Sequence, residues 1–507
     1  MSEPDQTSGT LQAVLTWLNG EPDDDPVADL AALRHYEPVA GDRALTVAQR
    51  EELLALLQIR AKDICGRFRP RLLTASLPLS REIHRPAMEL IDTLLSIADH
   101  YRVVATELQR HWLWTRRQEL VDLSARALEL IGEACILGTM SGAVVPFGLW
   151  QHAHVLWLAG GMREHLAGSA GADARVAALC VQYRRVMTIA VSQPESLTAR
   201  ELQWLFDYLD TAAGDADLSA QALQPESTSY WLDLAQDNPP IAVVRQKPQD
   251  GRDILYFSPQ GICRRVGEQI AWLEERVLEA EVVGLERDGE LLDPETSGLP
   301  EGLTPVEVLS LLRRLRDRWA APPQRAQSRR KHQYSVQVCA GLKTIWNIGR
   351  GTESAVAEWM VFNESPGGYA ILCVGGVDSA LSAGMLLALR RESSLGWSVC
   401  VVRWIRSDNP DQVELGLQVV SQGFSPVQVG FRGSDVRTMT PALMLPPLPA
   451  VRQHQALVAP AGTYVSRRFS LVNDGEHLYI AQGRVLGLDM QTASIELFRY
   501  EIDPYPI

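Results

Sequence analysis

The sequence predicts a multidomain α+β protein, with a mostly α-helical N-terminal half followed by β structure. Three observations carry that expectation. The chain has 507 residues, more than one domain of roughly 100 to 200 residues requires. Between Leu45 and Ala213 apolar residues recur at helical spacing. After Pro322-Pro323 the pattern changes to period two.

Residues 1–44 form an acidic and partly flexible start to a helical domain expected over 1–213. The start MSEPDQTSGTLQ lacks the basic residues, apolar run and cleavage site of an export signal, so a cytoplasmic location is expected. Helical periodicity is clear in Glu51-Glu52-Leu53-Leu54-Ala55-Leu56-Leu57 and in Pro86 to Leu95. Thr46 with Gln49, and Thr198 with Glu201, have the spacing of capping boxes and mark two helix starts.

Residues 134–162 carry no formal charge apart from protonation of His152 and His154, a length that could cross a bilayer. Thr139, Ser141, Pro146 and Gln151 interrupt the run and Gly138, Gly142 and Gly148 break helix continuity, so a buried helix-turn-helix is expected and no membrane span. The two histidines lack a nearby acidic or cysteine ligand and read as core or capping residues rather than metal ligands.

Residues 214–320 read as a connecting module with short apolar runs such as Asp253 to Phe257, and an amphipathic stretch from Gln269 to Leu278. It ends in a helix opened by Thr304-Pro305, whose Val308, Leu312, Leu315 and Trp319 share one face. Two β units are expected beyond it, over 321–435 and 436–507. Tyr334, Val336 and Val338 alternate with polar neighbours, and Ser398 to Ile405, Val413 to Val420, Phe469 to Val472, His477 to Gln482 and Ser494 to Tyr500 read as strands.

With 48 basic and 62 acidic residues the net charge is −14, which opposes binding of nucleic acid polymers and anionic lipid. Any anionic ligand needs a local basic pocket. Seven separated cysteines without a CxxC pair read as reduced, buried thiols. No G-x-S-x-G, Walker A or HExxH motif is present.

Against this acidic background, residues 324–350 hold Arg325, Arg329, Arg330, Lys331, Lys343 and Arg350 with no acidic residue. A planar guanidinium grips phosphate bidentately, or the O6 and N7 edge of guanine. A charge run is more often a solvated linker. Further on, Asn363-Glu364-Ser365-Pro366-Gly367-Gly368 lies between two apolar strands. Asn363 and Ser365 offer short hydrogen-bonding groups to a base edge and the glycines permit close approach, although the same residues also make ordinary turns.

Together, the R-x-x-x-R of Arg325 to Arg329 and the N-x-S-x-x-G of Asn363 to Gly368 resemble the signature of PilZ domains, small antiparallel β-barrels that bind cyclic di-GMP. The resemblance continues through Gly384 to Leu389, Val401 to Trp404 and Glu414 to Gln418. It implies a PilZ-like β-barrel over 321–435, a small β domain at 436–507, and a cyclic di-GMP site at Arg325, Arg329, Arg330, Asn363, Ser365 and Gly368. The wider architecture resembles large proteobacterial PilZ proteins tied to type IV pili, surface motility or biofilm control.

The expectation is therefore a non-enzymatic second-messenger receptor without cofactor, whose helical N-terminal region signals to a protein partner. One rival is a PilZ-shaped scaffold that binds no ligand. Another is an ATP pyrophosphatase, because Gly375-Gly376-Val377-Asp378-Ser379 resembles its phosphate loop.

Overall fold

Helix starts in this protein are fixed by local hydrogen bonds, as the computed structural model makes plain for Val47–Thr74 and Ala199–Ala212. Gln49 N donates to Thr46 Oγ1 at 3.3 Å while Gln49 Oε1 accepts from Thr46 N at 2.9 Å. Thr198 and Glu201 repeat the arrangement at 3.3 and 2.9 Å. Thr304 and Glu307 do so again at the start of Pro305–Ala320. Each box satisfies two otherwise orphaned amides. The structure describes residues 3–110, 117–166, 173–249, 253–283, 292–322, 329–352, 355–376, 380–392, 396–431, 439–448, 452–464, 467–475 and 478–503.

The expected helix-turn-helix is Arg117–Met140 followed by Leu149–Ala159. Among the described residues no helix is long and apolar enough to cross a membrane. His154 is fully buried, with Nδ1 2.8 Å from Tyr183 Oη and Nε2 3.3 Å from the Asn238 carbonyl. A carbonyl can only accept, so Nε2 carries the proton and Nδ1 accepts from the tyrosine. No group of His, Cys, Asp and Glu among the described residues has the arrangement of a metal site.

The described residues between 214 and 320 hold more regular structure than their composition implies. Strands β1 (Asp217–Ser219), β2 (Tyr230–Asp233), β3 (Ile241–Ala242) and β4 (Ile254–Ser258) form a four-stranded sheet in the order β1-β4-β2-β3. Leu232, Leu255 and Phe257 of this sheet, with Val266 and Leu273 of the helix Gln260–Val283 and Leu312 and Trp319 of the helix Pro305–Ala320, join one buried cluster with Leu53, Leu137 and Trp204. The division expected at 213/214 thus falls inside a continuous core.

Beyond Ala320 the described strands form two closed antiparallel barrels. The first contains β5 (Arg330–Ala340), β6 (Ala357–Ser365), β7 (Gly368–Val374), β8 (Leu386–Arg390), β9 (Ser398–Asn409) and β10 (Gln412–Ser421), in the order β10-β7-β6-β5-β8-β9. The second contains β11 (Ser425–Phe431), β12 (Thr440–Leu445), β13 (Ala456–Pro460), β14 (Arg468–Asp474), β15 (Leu478–Gln491) and β16 (Ile495–Ile502). Because β11 pairs with β12 and β14, the boundary between barrels lies between Ser421 and Ser425 rather than at 435/436.

A shared apolar cluster joins the barrels: Cys339, Val399 and Val401 of the first pack with Leu443, Val458 and Leu497 of the second. The helix Leu342–Gly349 is wedged there, its Trp346 indole donating to the Val427 carbonyl at 2.8 Å. The first barrel also touches the helical core. Leu77 and Leu381 form an isolated antiparallel bridge, Ser407 N donates to the Gly142 carbonyl at 2.8 Å, and Asp408 accepts from Val144 N at 3.0 Å.

Candidate ligand-binding site

The strand expected to begin near Tyr334 begins at Arg330, directly after Arg329. Its first four residues are exposed, and the alternation of buried with less buried residues starts only at Val336. The strand therefore extends past the apolar interior of the barrel, and the basic residues ride on that extension. Arg325 lies outside the described residues.

The two sequence motifs meet on the β5–β6 ladder. Arg330 stands opposite Glu364 and Lys331 opposite Asn363, followed by a register shift before Tyr334 pairs with Val361. The β6–β7 hairpin then brings Ser365 opposite Gly368, with Pro366 and Gly367 as a two-residue connection. Arg329, Arg330 and Lys331 are exposed, whereas Asn363, Ser365 and Gly368 are half-buried. Five of the six residues singled out from sequence thus share one edge of the barrel.

Asn363 Oδ1 is buried and has no hydrogen-bond partner among the described residues. Such an acceptor costs free energy unless something donates to it. Ser365 Oγ donates to the Gly368 carbonyl at 3.4 Å, a long bond that leaves its acceptor lone pairs free. Gly368 has a different job: a Cβ there would lie 2.1 Å from the Leu417 carbonyl oxygen, so its missing side chain admits β10.

Four residues that sequence spacing did not single out belong to this edge. Lys331 was visible only as part of the charge run. His332 Nε2 lies 3.4 Å from Glu364 Oε1, and the Tyr334 hydroxyl donates to Glu364 Oε2. Burial first, and then the adjacent Glu364 carboxylate, push the Tyr334 phenol well above its ordinary range, so it stays a donor. Arg391 places its guanidinium 4.6 Å from the centre of the Tyr334 ring. Only the β5–β8 pairing, which sets Gln337 opposite Arg390, brings Arg391 here.

The edge therefore presents three consecutive cations and a fourth from the end of β8, around one carboxylate already engaged by Tyr334 and His332. Chemically it can bind a compact anion that also carries hydrogen-bond donors for Asn363. The Gly375-Gly376 loop fits phosphate chemistry less well. It follows β7 of an antiparallel barrel, Gly375 N donates to the Asp411 carbonyl at 2.9 Å, and residues 377–379 lie outside the described residues. Among the described residues the next element is β8, not the helix a pyrophosphatase loop would open.

Residues 12–225 match the family model described as the N-terminal domain of the cyclic di-GMP receptor FimW, and residues 349–426 match that of its middle PilZ domain. Together these matches span more than half of the 507 residues. The chain belongs to the FimW-type family of PilZ-domain receptors. The family is one of receptors, not enzymes. The cyclic di-GMP receptor FimW of Pseudomonas aeruginosa is 28% identical over 102 residues, which is 20% of this chain and 17% of that protein. No solved structure matches the chain. The PilZ match takes in the hairpin and the barrel strands from β6 to β10, and it begins beyond Arg329, Arg330 and Lys331.

Proposed function

We propose that this protein is a cytoplasmic cyclic di-GMP receptor that reports the level of the messenger to a protein partner, in pilus, motility or biofilm control. The ligand phosphates are held by Arg329, Arg330 and Lys331, with Arg325 reaching in from the preceding linker. Asn363 and Ser365 read the guanine edge. The observation that carries the reading is the orphaned, buried Asn363 Oδ1 on the rung opposite Lys331. Guanine N1–H and N2–H are donors that would satisfy that acceptor, and the cations beside it would neutralise the phosphates.

The signal passes through the linker. The helix Pro305–Ala320 is anchored on the helical core, with Arg318 Nη1 on the Ser192 carbonyl at 2.8 Å and Trp319 Nε1 on Ser192 Oγ at 3.1 Å. A ligand bridging Arg325 to the barrel edge would therefore tie the linker between two fixed ends, and would change how the helical region meets its partner.

Calorimetric titration with cyclic di-GMP, with GTP and cyclic di-AMP as competitors, tests this. Saturable guanine-selective binding that is lost in Arg329→Ala and Ser365→Ala is expected. Absence of binding at high micromolar ligand would leave the protein as a PilZ-shaped scaffold.

A further inference from the structure

Away from that edge, a cavity of about 520 Å³ lies where the helical core meets both barrels. Its walls come from four places. Leu77 and Met140 belong to the helical core, Val306 and Ser310 to the helix Pro305–Ala320, Leu381 and Ile405 to the first barrel, and Gln491 and Thr492 to the second. On the barrel side, Leu381 follows the C-terminal end of β7, whereas the Asn363 turn sits at its N-terminal end. The two sites are therefore at opposite ends of that strand.

The cavity holds unmet polar valences. Ser310 is 4% exposed and its Oγ has no hydrogen-bond partner among the described residues. Gln491 is similar at one end: Nε2 donates to Glu496 Oε1 at 3.0 Å, while the buried Oε1 accepts from nothing described. An empty apolar void needs no such groups, and a packed junction would satisfy them.

Charge decides the ligand class. Arg200 is committed to Glu307, at 3.2 Å, and to the Gly302 carbonyl at 2.7 Å. Glu201 is committed to Arg314. The third carboxylate on the wall, Glu195, lies in the field of Arg318, so each of the three has a cationic neighbour. With those charges already matched, the wall offers an anion, cyclic di-GMP included, no uncommitted cation among the described residues. A volume inside the roughly 300 to 1,000 Å³ typical of small-molecule sites suits one organic molecule.

We infer that this junction is a second binding site, for an uncharged, mostly apolar small molecule that hydrogen-bonds to Ser310 Oγ and donates to Gln491 Oε1. The inference stands apart from the cyclic di-GMP reading. Because the ligand would touch the helical core and both barrels at once, occupancy stabilises their present arrangement by mass action.

The full-length protein should be titrated with 1-aminoanthracene, a neutral ring system with an amine donor, by fluorescence and by thermal unfolding. Saturable binding of one probe per chain with a raised unfolding midpoint is expected. Val306 is an exposed wall residue and Ala493 lies in a turn of the second barrel, so Val306→Trp and Ala493→Trp fill the cavity from different elements without entering a core. Each should weaken the probe at least tenfold while the ligand-free unfolding midpoint stays unchanged, and Ser310→Ala should weaken it about fivefold. Arg329→Ala should leave the probe untouched. Non-saturable binding, parent-like binding by both filled variants, loss of binding in Arg329→Ala, or tighter binding of the anionic probe 8-anilinonaphthalene-1-sulfonate would each overturn the proposal.

Discussion

Lys331 stands across the β5–β6 ladder from Asn363, so the basic segment and the polar turn, more than thirty positions apart in the chain, occupy one rung of the barrel. The pairing sets a cation beside a buried acceptor that nothing described satisfies. Removing an orphaned acceptor relieves a folding cost, whereas removing one the ligand needs costs affinity. Asn363→Leu is therefore expected to leave the unfolding midpoint unchanged or raised, yet to weaken cyclic di-GMP at least about fivefold. Paired calorimetry and thermal unfolding check this; equal affinity of the two proteins would remove Asn363 from the site.

The exposed cations make the second prediction. Arg329, Arg330 and Lys331 sit on the extension of β5 beyond the barrel core, where salt screens them readily. Affinity for cyclic di-GMP should fall as ionic strength rises. In the Arg329→Ala Arg330→Ala double variant the affinity should be lower at low salt and the dependence on salt shallower. A variant whose dependence on salt equals that of the parent would place the phosphates elsewhere.

Gly368 separates ligand contact from packing. A Cβ at this position would fall 2.1 Å from the Leu417 carbonyl oxygen, a backbone atom that cannot swing away. Gly368→Ala should therefore destabilise the barrel by about 1 to 3 kcal/mol, the scale of overpacking a close contact. Denaturant unfolding without any ligand measures it. Ser365→Ala, directly across the hairpin, should instead change affinity with little effect on stability.

The contact between helical core and first barrel predicts a local effect. Gly142 has φ of +72° and its carbonyl accepts from Ser407 N at 2.8 Å. A side chain there pays the cost of left-handed backbone, roughly 1 to 2 kcal/mol. Its Cβ would also meet Leu77 at 3.3 Å. Gly142→Ala should speed amide exchange at Ser407 and Val144 severalfold. Arg81→Ala should not, because the Arg81–Asp411 pair at the same junction is well exposed and screened.

What the sequence made legible follows the range of the interactions responsible. Thr46 with Gln49 and Thr198 with Glu201 are three residues apart, so their capping boxes could be read directly. Tyr334, Val336 and Val338 gave period two because that part of β5 has one face in the barrel. Arg330 to Gln333 are exposed on both faces and so carry no alternation, which hid the true strand start. The sheet from Asp217 to Ser258 was hidden for the opposite reason: all four residues of β2 are buried, and strands of two to five residues are too short for a pattern. Arg391 and the membership of β11 depend on pairings between distant strands, which local spacing does not encode. In the candidate site the turn and two of its arginines were legible, while Tyr334, His332 and Arg391 needed the fold.

His154 gives a pH prediction with a definite sign. Burial pushes its imidazole down from the ordinary 6.5 to about 4, and the neutral ring is held between Tyr183 and Asn238. As pH falls below 6.5 the unfolded chain takes up a proton at this position that the folded protein refuses until about pH 4. The unfolded state binds more protons throughout that interval, so stability falls with falling pH. The full loss for this one group is about 3 kcal/mol, and none of it is felt above neutrality. His154→Gln keeps a hydrogen-bonding side chain but cannot titrate. Its stability at pH 7 is expected to be lower than that of the parent, yet the decline between about pH 7 and pH 4.5 should be shallower by a large part of that amount. Denaturant melts of both proteins at the two pH values provide the test. Parallel declines would mean that His154 is protonated in the folded core, and that the Tyr183 hydroxyl accepts from it instead of donating.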